Sequence, residues 1–202
     1  MFVAKELRKK SIAEYLLYMW QIEDTIRAYN CSLTRIRKEY IDQFQYTDEQ
    51  KEEEEDWLGD LVRMMNQEGC RDGGHLQINK VVMQDLTELH AELLQSSKFP
   101  FYSAEYYRVL PFIVELRGKA KRTADKMART NDERLKGVAS QLGESEIETC
   151  FDFLYGVMML RLQKKEITPE TARALKEITT FIGMLSDYYI KDKTEGLDFG
   201  DN

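Results

Sequence analysis

The chain has 202 residues, a formal net charge of −7 and only three prolines and eleven glycines. So few turn formers exclude a sandwich or a barrel, which need many tight turns. Hydrophobic residues at 43% supply a core and exclude a disordered chain, while 32% charged residues suit helices with long solvated faces. The negative balance also opposes nonspecific binding of polyanions by the molecule as a whole.

In chain order, Ser11-x-x-Glu14 is a capping-box signature, a hydroxyl and a carboxylate placed to satisfy the free amides of a first turn. Ile12, Leu16, Met19, Ile22 and Ile26 recur at three- and four-residue intervals and predict one buried helical face ending near Asn30. A second helix is predicted from Ser32, burying Leu33, Ile36, Tyr40, Ile41 and Phe44. Thr47-x-x-Gln50 opens a third, with Trp57, Leu58, Leu61, Met64 and Met65 inward and Gly69 as its stop. Gly69–Gly74 is a loop, after which Ile78, Val82, Leu86, Leu89 and Leu93 line a fourth helix reaching Ser96.

Lys98–Phe101 is expected to be a loop, because Pro100 biases its predecessor away from helix. Ser103 then caps a long helix to Arg129, facing Val109, Ile113, Leu116, Ala120, Ala124 and Met127 inward. Pro111 falls inside this pattern and should kink or restart the helix, lacking an amide and crowding the carbonyl four residues back. A short helix runs from Asn131–Asp132 to Gly143. Ser145-x-x-Glu148 opens one that buries Ile147, Phe151, Leu154, Met158 and Leu162. Thr168-Pro169 begins the last, with Leu175, Ile178, Ile182, Leu185 and Tyr189 inside. The fold expected is an all-α, antiparallel bundle of about seven or eight helices. Residues 1–191 would form a single domain and 192–202 a frayed polar tail.

The basic stretch Lys5–Lys10 gives way to Ser11-Ile-Ala-Glu14 rather than to the apolar run of a secretory signal. Phe153–Leu160 is far shorter than the roughly 18 apolar residues of a membrane span. Cys31, Cys70 and Cys150 are odd in number and widely spaced, which fits reduced, buried thiols. A soluble cytoplasmic protein is therefore expected, with no membrane partner.

Little in the chain carries recognisable chemistry. Cys70 and His75 offer two potential ligands where a structural zinc needs four, and His90 has no partner at ligand spacing, so no metal or other cofactor is expected. Neither a phosphate-binding glycine loop nor a nucleophile elbow is present. Asp48–Asp56 holds seven acids against one lysine and reads as a solvated first turn favoured by the helix dipole. Arg117–Lys136 carries a net charge of +5, with Lys119, Arg122, Lys126 and Arg129 on one helical stripe. Such a stripe could follow phosphates or dock an acidic surface, but it lacks aromatics for base stacking, so nucleic acid is not the favoured partner. Phe99, Phe101, Tyr102, Tyr106 and Tyr107 concentrate aromatic area beside Arg108, the composition of an interface or a ligand wall. These six residues are the candidate site.

Two resemblances bear on function. Trp57-Leu58-Gly59-Asp60 resembles the Glu-Leu-Gly-Asp stretch of the all-helical nucleoside triphosphate pyrophosphatases, which bind magnesium through Glu-x-x-Glu and Glu-x-x-Asp on adjacent helices. It departs from that pattern at Trp57, where the family has glutamate, and Glu49 and Glu52 lie on the same predicted helix as Asp60. As a whole, the chain resembles an uncharacterised bacterial family of all-helical proteins about 200 residues long. The likeness rests on length, helix order, the start Met1-Phe-Val-Ala-Lys-Glu-Leu7 and the segment Ser11–Trp20. It implies no activity. The reading preferred from sequence is a non-enzymatic bundle that works through protein contacts, as a homodimer or with another protein. Nucleic-acid binding by residues 117–136 and a divergent magnesium-dependent pyrophosphatase are the alternatives.

Overall fold

The computed structural model describes residues 1–130 and 145–200, with side chains described outside 123–130. The helix expected between Asn131 and Gly143, and the side chains of Ala124, Lys126, Met127 and Arg129, lie outside the described residues. Those residues are all-α, with eight helices and no strand. They divide into two compact units, Met1–Val82 and Met83–Asn202.

The first unit opens with α1 (Phe2–Lys10), a helix that the cap signal at Ser11 does not announce. Ser11 serves twice. Its amide donates to Leu7 O and closes α1, while its hydroxyl accepts from Glu14 N and starts α2 (Ile12–Ala28). Ile12, Leu16, Met19, Ile22 and Ile26 are all buried, as the periodicity requires. Asn30 and Cys31, both at positive φ, turn the chain out of α2.

The single helix expected from Ser32 is two short pieces, α3 (Leu33–Glu39) and a 3-10 turn, Ile41–Gln43. Tyr40 breaks the regular backbone between them, so Phe44 is exposed rather than buried, while Ile36 and Ile41 keep their core places. Then α4 (Asp48–Gln67) begins at a complete capping box between Thr47 and Gln50 and buries Leu58, Leu61, Val62 and Met65. Gly69, at φ +71°, is the left-handed stop, and Cys70 N donates back to Met65 O, the six-to-one bond of such an ending.

The boundary between the units falls within α5 (Gln77–Gln95). Val82, Leu86, Leu89 and Leu93 are buried, but Ile78 is exposed and the polar Asn79 takes the inner place. In the second unit, α6 (Pro100–Thr130) starts earlier than proline chemistry alone suggests. Pro100 is the first helical residue, where no amide partner is needed, and Ser103 sits inside the first turn with its amide bonded to Phe99 O. The helix is continuous through Pro111. Pro111 is exposed, so water can reach the Tyr107 carbonyl that loses its intrahelical donor.

Ser145 caps α7 (Glu146–Leu162), which buries Ile147, Phe151, Leu154 and Val157. Leu162, expected inside, is 58% exposed in its last turn. Thr168 caps α8 (Pro169–Glu195), with Ile178, Phe181, Ile182, Leu185 and Tyr189 inside. This helix runs past Lys191, and Asp198 and Phe199 beyond it are held. Ser96 Oγ donates to Phe199 O at 2.8 Å, and Lys98 pairs with Asp198. Among the described residues no helix is long and apolar enough to cross a membrane. All three cysteines are free and buried.

Candidate functional site

The aromatic cluster lies in the second unit, and the periodicity of α6 divides it. Tyr102 points inward and is fully buried, and Tyr106 is half-buried. Phe99, just before the helix, packs edge-on against Tyr188 and tilted against Phe199. By contrast Phe101 is 81% exposed and Tyr107 67% exposed. Arg108 is also exposed, and it is tied to Glu105 at 3.1 Å rather than held ready for an anion. The six residues therefore form an inner and an outer set.

The inner set gathers around His90, for which the sequence offers no partner at ligand spacing. His90, buried on α5, has its Nδ1 2.7 Å from the Tyr102 hydroxyl and its Nε2 3.8 Å from a Glu146 carboxylate oxygen. Tyr106 donates its hydroxyl to the same Glu146 at 2.8 Å. Phe181 from α8 sits edge-on to His90 and tilted against Tyr102 and Tyr106. Glu146 lies in the first turn of α7, where the helix dipole favours a carboxylate.

Burial lowers the His90 pKa below its ordinary value, with Glu146 only partly opposing it. Burial also raises the Tyr102 phenol, and burial together with the Glu146 bond takes Tyr106 to about 12. The Cys150 thiol, fully buried, is pushed up to about 12 by the same desolvation. The set is thus neutral His90 and neutral tyrosines around one carboxylate. Tyr102 donates to His90 Nδ1, and the proton on Nε2 faces Glu146.

A pH dependence follows. The unfolded chain protonates His90 near pH 6.5, whereas the folded chain resists until a lower pH. The stability this provides is complete above about pH 6.5 and is lost as pH falls from there toward the folded pKa, by at most about 1.4 kcal/mol per pH unit. Urea unfolding between pH 7.5 and 5 should show that loss, and His90→Gln should flatten the window assigned to it.

The first unit holds a second polar cluster. Glu23 on α2 is fully buried, and its carboxylate accepts from Leu76 N at 2.9 Å and Asn79 Nδ2 at 2.6 Å. His75 Nδ1 is 2.6 Å from the other oxygen, and the imidazole stacks on Trp20 at 4.1 Å. One turn on, Arg27 donates to the carbonyls of Cys70 and Gly74 and pairs with Asp24. Glu23 and Arg27 thereby fasten the 69–76 loop to α2. Cys70 and His75 do not act as a ligand pair, since the Cys70 thiol donates to the His75 carbonyl and the imidazole faces Glu23.

The charged runs are mostly surface. Lys119 pairs with Glu115 at 2.6 Å and Arg122 is exposed, while the rest of the basic stripe, Lys126 and Arg129, lies outside the described side chains. In the acidic run Glu54 departs furthest from a solvated face, being buried and paired with the Met1 amine, and half-buried Glu55 pairs with Arg37. Asp60 pairs with Arg63 on the exposed side of α4. Among the described residues, no three His, Cys, Asp or Glu side chains gather as a metal would require.

A family model described as a domain of unknown function (DUF4924) matches residues 1–196. No curated protein and no solved structure matches the chain.

Proposed function

We propose that the chain, which belongs to this family of uncharacterised domains, works in the cytoplasm as a non-enzymatic helical module that associates with a second copy of itself. One observation carries this reading: the outer face of α6 is apolar and uncovered. Tyr107, Pro111 and Val114 recur at four- and three-residue spacing, and all three are exposed, Val114 by 61%. Gly118 continues the stripe. Large exposed apolar side chains grouped on one face mark an interaction surface, whereas scattered ones do not.

The face fits a copy of itself. Antiparallel pairing about a two-fold axis lays the Tyr107 end of one stripe over the Gly118 end of the other, bulk against absence of bulk. At half-buried Gly118, an added Cβ would make ordinary contact with the Arg122 guanidinium at 3.5 Å, and would meet nothing nearer among the described residues. The inner cluster of His90, Tyr102 and Tyr106 then has a supporting part: it fixes the rotation of α6 that turns Tyr107 outward.

Sedimentation equilibrium of the wild-type chain should give a dimer at micromolar concentration. The double variant Tyr107→Lys with Val114→Glu should be monomeric, with the unfolding midpoint of the wild-type chain measured at a concentration low enough to dissociate the dimer, since both positions are exposed. A wild-type chain that stays monomeric throughout would overturn the reading. The basic stripe and the pyrophosphatase resemblance receive less support, because Lys119 is engaged by Glu115 and Asp60 by Arg63.

A further inference from the structure

On a face of α6 well apart from the Tyr107 stripe, the second unit has a cavity of about 280 Å³. Its walls come from three helices: Phe112 and Leu116 of α6, Phe153 of α7 and Ala174 of α8. The two phenylalanines are half-buried, so each offers ring surface that the protein leaves uncovered. A small concave site with apolar walls and a few placed charges suits a small organic ligand.

The charges at the rim are of two kinds. Glu115 and Lys119 neutralise each other across one turn, and Lys119 draws the Glu115 carboxyl below its ordinary range. Glu170 and Arg173, in the first turns of α8, are different. They stand three residues apart on one helix, yet neither makes an ion pair or hydrogen bond among the described residues. Arg173 is positioned instead by the Phe112 ring, with its guanidinium carbon 5.9 Å from the centroid. Among the described residues its donors are unpaired, and so is the Glu170 carboxylate. Side chains at this spacing are about 5–6 Å apart at Cβ, which lets one small molecule reach both.

We propose that this cavity binds a zwitterion with an apolar body, an α-amino acid with an aromatic side chain. The ligand carboxylate takes the Arg173 guanidinium, where planar, charge-assisted bonding is strongest. Its ammonium takes Glu170, and its ring lies against Phe112 and Phe153, where aromatic pairs gain beyond their buried area. A simple anion would leave Glu170 facing its own sign of charge, and a simple amine would do the same at Arg173. Both single charges are therefore disfavoured relative to the pair.

The test is calorimetric titration of the full chain with L-phenylalanine, 3-phenylpropionate, which lacks the ammonium, and 2-phenylethylamine, which lacks the carboxylate. L-phenylalanine is expected to bind with a dissociation constant of about 1 mM or lower, and each analogue about tenfold more weakly or worse. Arg173→Gln and Glu170→Gln should each weaken L-phenylalanine by about tenfold, with a near-wild-type unfolding midpoint because both residues are exposed. Absence of binding, an analogue equal to L-phenylalanine, or an unaffected Arg173→Gln variant overturns the proposal. Dimer formation is read separately, so a monomer that binds L-phenylalanine leaves this inference standing.

Discussion

Replacing Glu23 with alanine is expected to destabilise the first unit by about 3–5 kcal/mol, the scale for removing one partner from a buried charged cluster. The cost comes from what is left behind. Leu76 N and Asn79 Nδ2 lose their acceptor in a site closed to water, and each unpaired donor costs about 1–3 kcal/mol. Asn79 already has a buried carbonyl oxygen without a hydrogen-bond partner, so it has little scope to compensate. His75 loses the carboxylate that draws it to α2, Arg27 loses its ion-pair partner one turn back on the same helix, and the 69–76 loop loses one of its two fastenings. Glu23→Gln keeps an acceptor and the shape, so its cost should be clearly smaller. The chain's two tryptophans, Trp20 and Trp57, both lie in the first unit, so their fluorescence in urea reports its unfolding. An alanine variant within about 0.5 kcal/mol of wild type, the range of an ordinary surface change, would show that the cluster is not a fastening.

The second large effect is expected at Phe181. Its side chain is fully buried and its ring meets those of His90, Tyr102 and Tyr106. Truncation to alanine removes a phenyl group from a packed site and leaves a cavity, for a loss of about 3–5 kcal/mol. Phe101→Ala, a change of the same chemistry on an 81% exposed side chain, should stay within about 0.5 kcal/mol in the monomer. The contrast separates the inner set from the outer one. Circular dichroism at 222 nm during urea unfolding measures both variants, at a concentration low enough to exclude self-association. Similar losses at the two positions would refute the division of the cluster.

Capping was the most legible part of the chain. Ser11, Thr47, Ser145 and Thr168 each accept the backbone bond that their local sequence announces, because a cap involves residues three apart. The errors have local causes as well. α1 buries only Ala4, so it has almost no apolar stripe in its sequence. Pro100 and Pro111 suggested a loop and an interruption, but one stands at the first helical position and the other on a solvated face. In both places a missing amide is tolerated. The spacing of Ile78 fits a buried stripe with Val82, but Asn79 faces inward instead, drawn by the Glu23 carboxylate.

The candidate site was legible only as composition. Counting aromatics between Phe99 and Tyr107 identified the region, and helical spacing alone could have split it, since Tyr102, Tyr106 and Val109 share one side and Tyr107, Pro111 and Val114 another. His90 and Glu146 were out of reach, because their partners are 12 to 56 residues away: Tyr102 is 12 residues from His90, Glu146 is 40 residues from Tyr106, and both couplings depend on how α5, α6 and α7 pack. Glu23 was hidden for the same reason. Its partners Leu76 and Asn79 lie 53 and 56 residues away, and an acid one position after Ile22 looks like any helix-surface glutamate until the loop closes over it.

By itself the sequence determined an all-helical protein, and scarce proline and glycine, helical periodicity and side-chain caps were sufficient for that. Each is a local property, decided within a few residues of chain. Tertiary structure alone decided which polar groups are buried together, which aromatic rings face solvent, and where Arg173 and Glu170 border a cavity. Those features depend on contacts between distant segments, and desolvation, which sets both the neutral state of His90 and the cost of losing Glu23, exists only once the helices have packed.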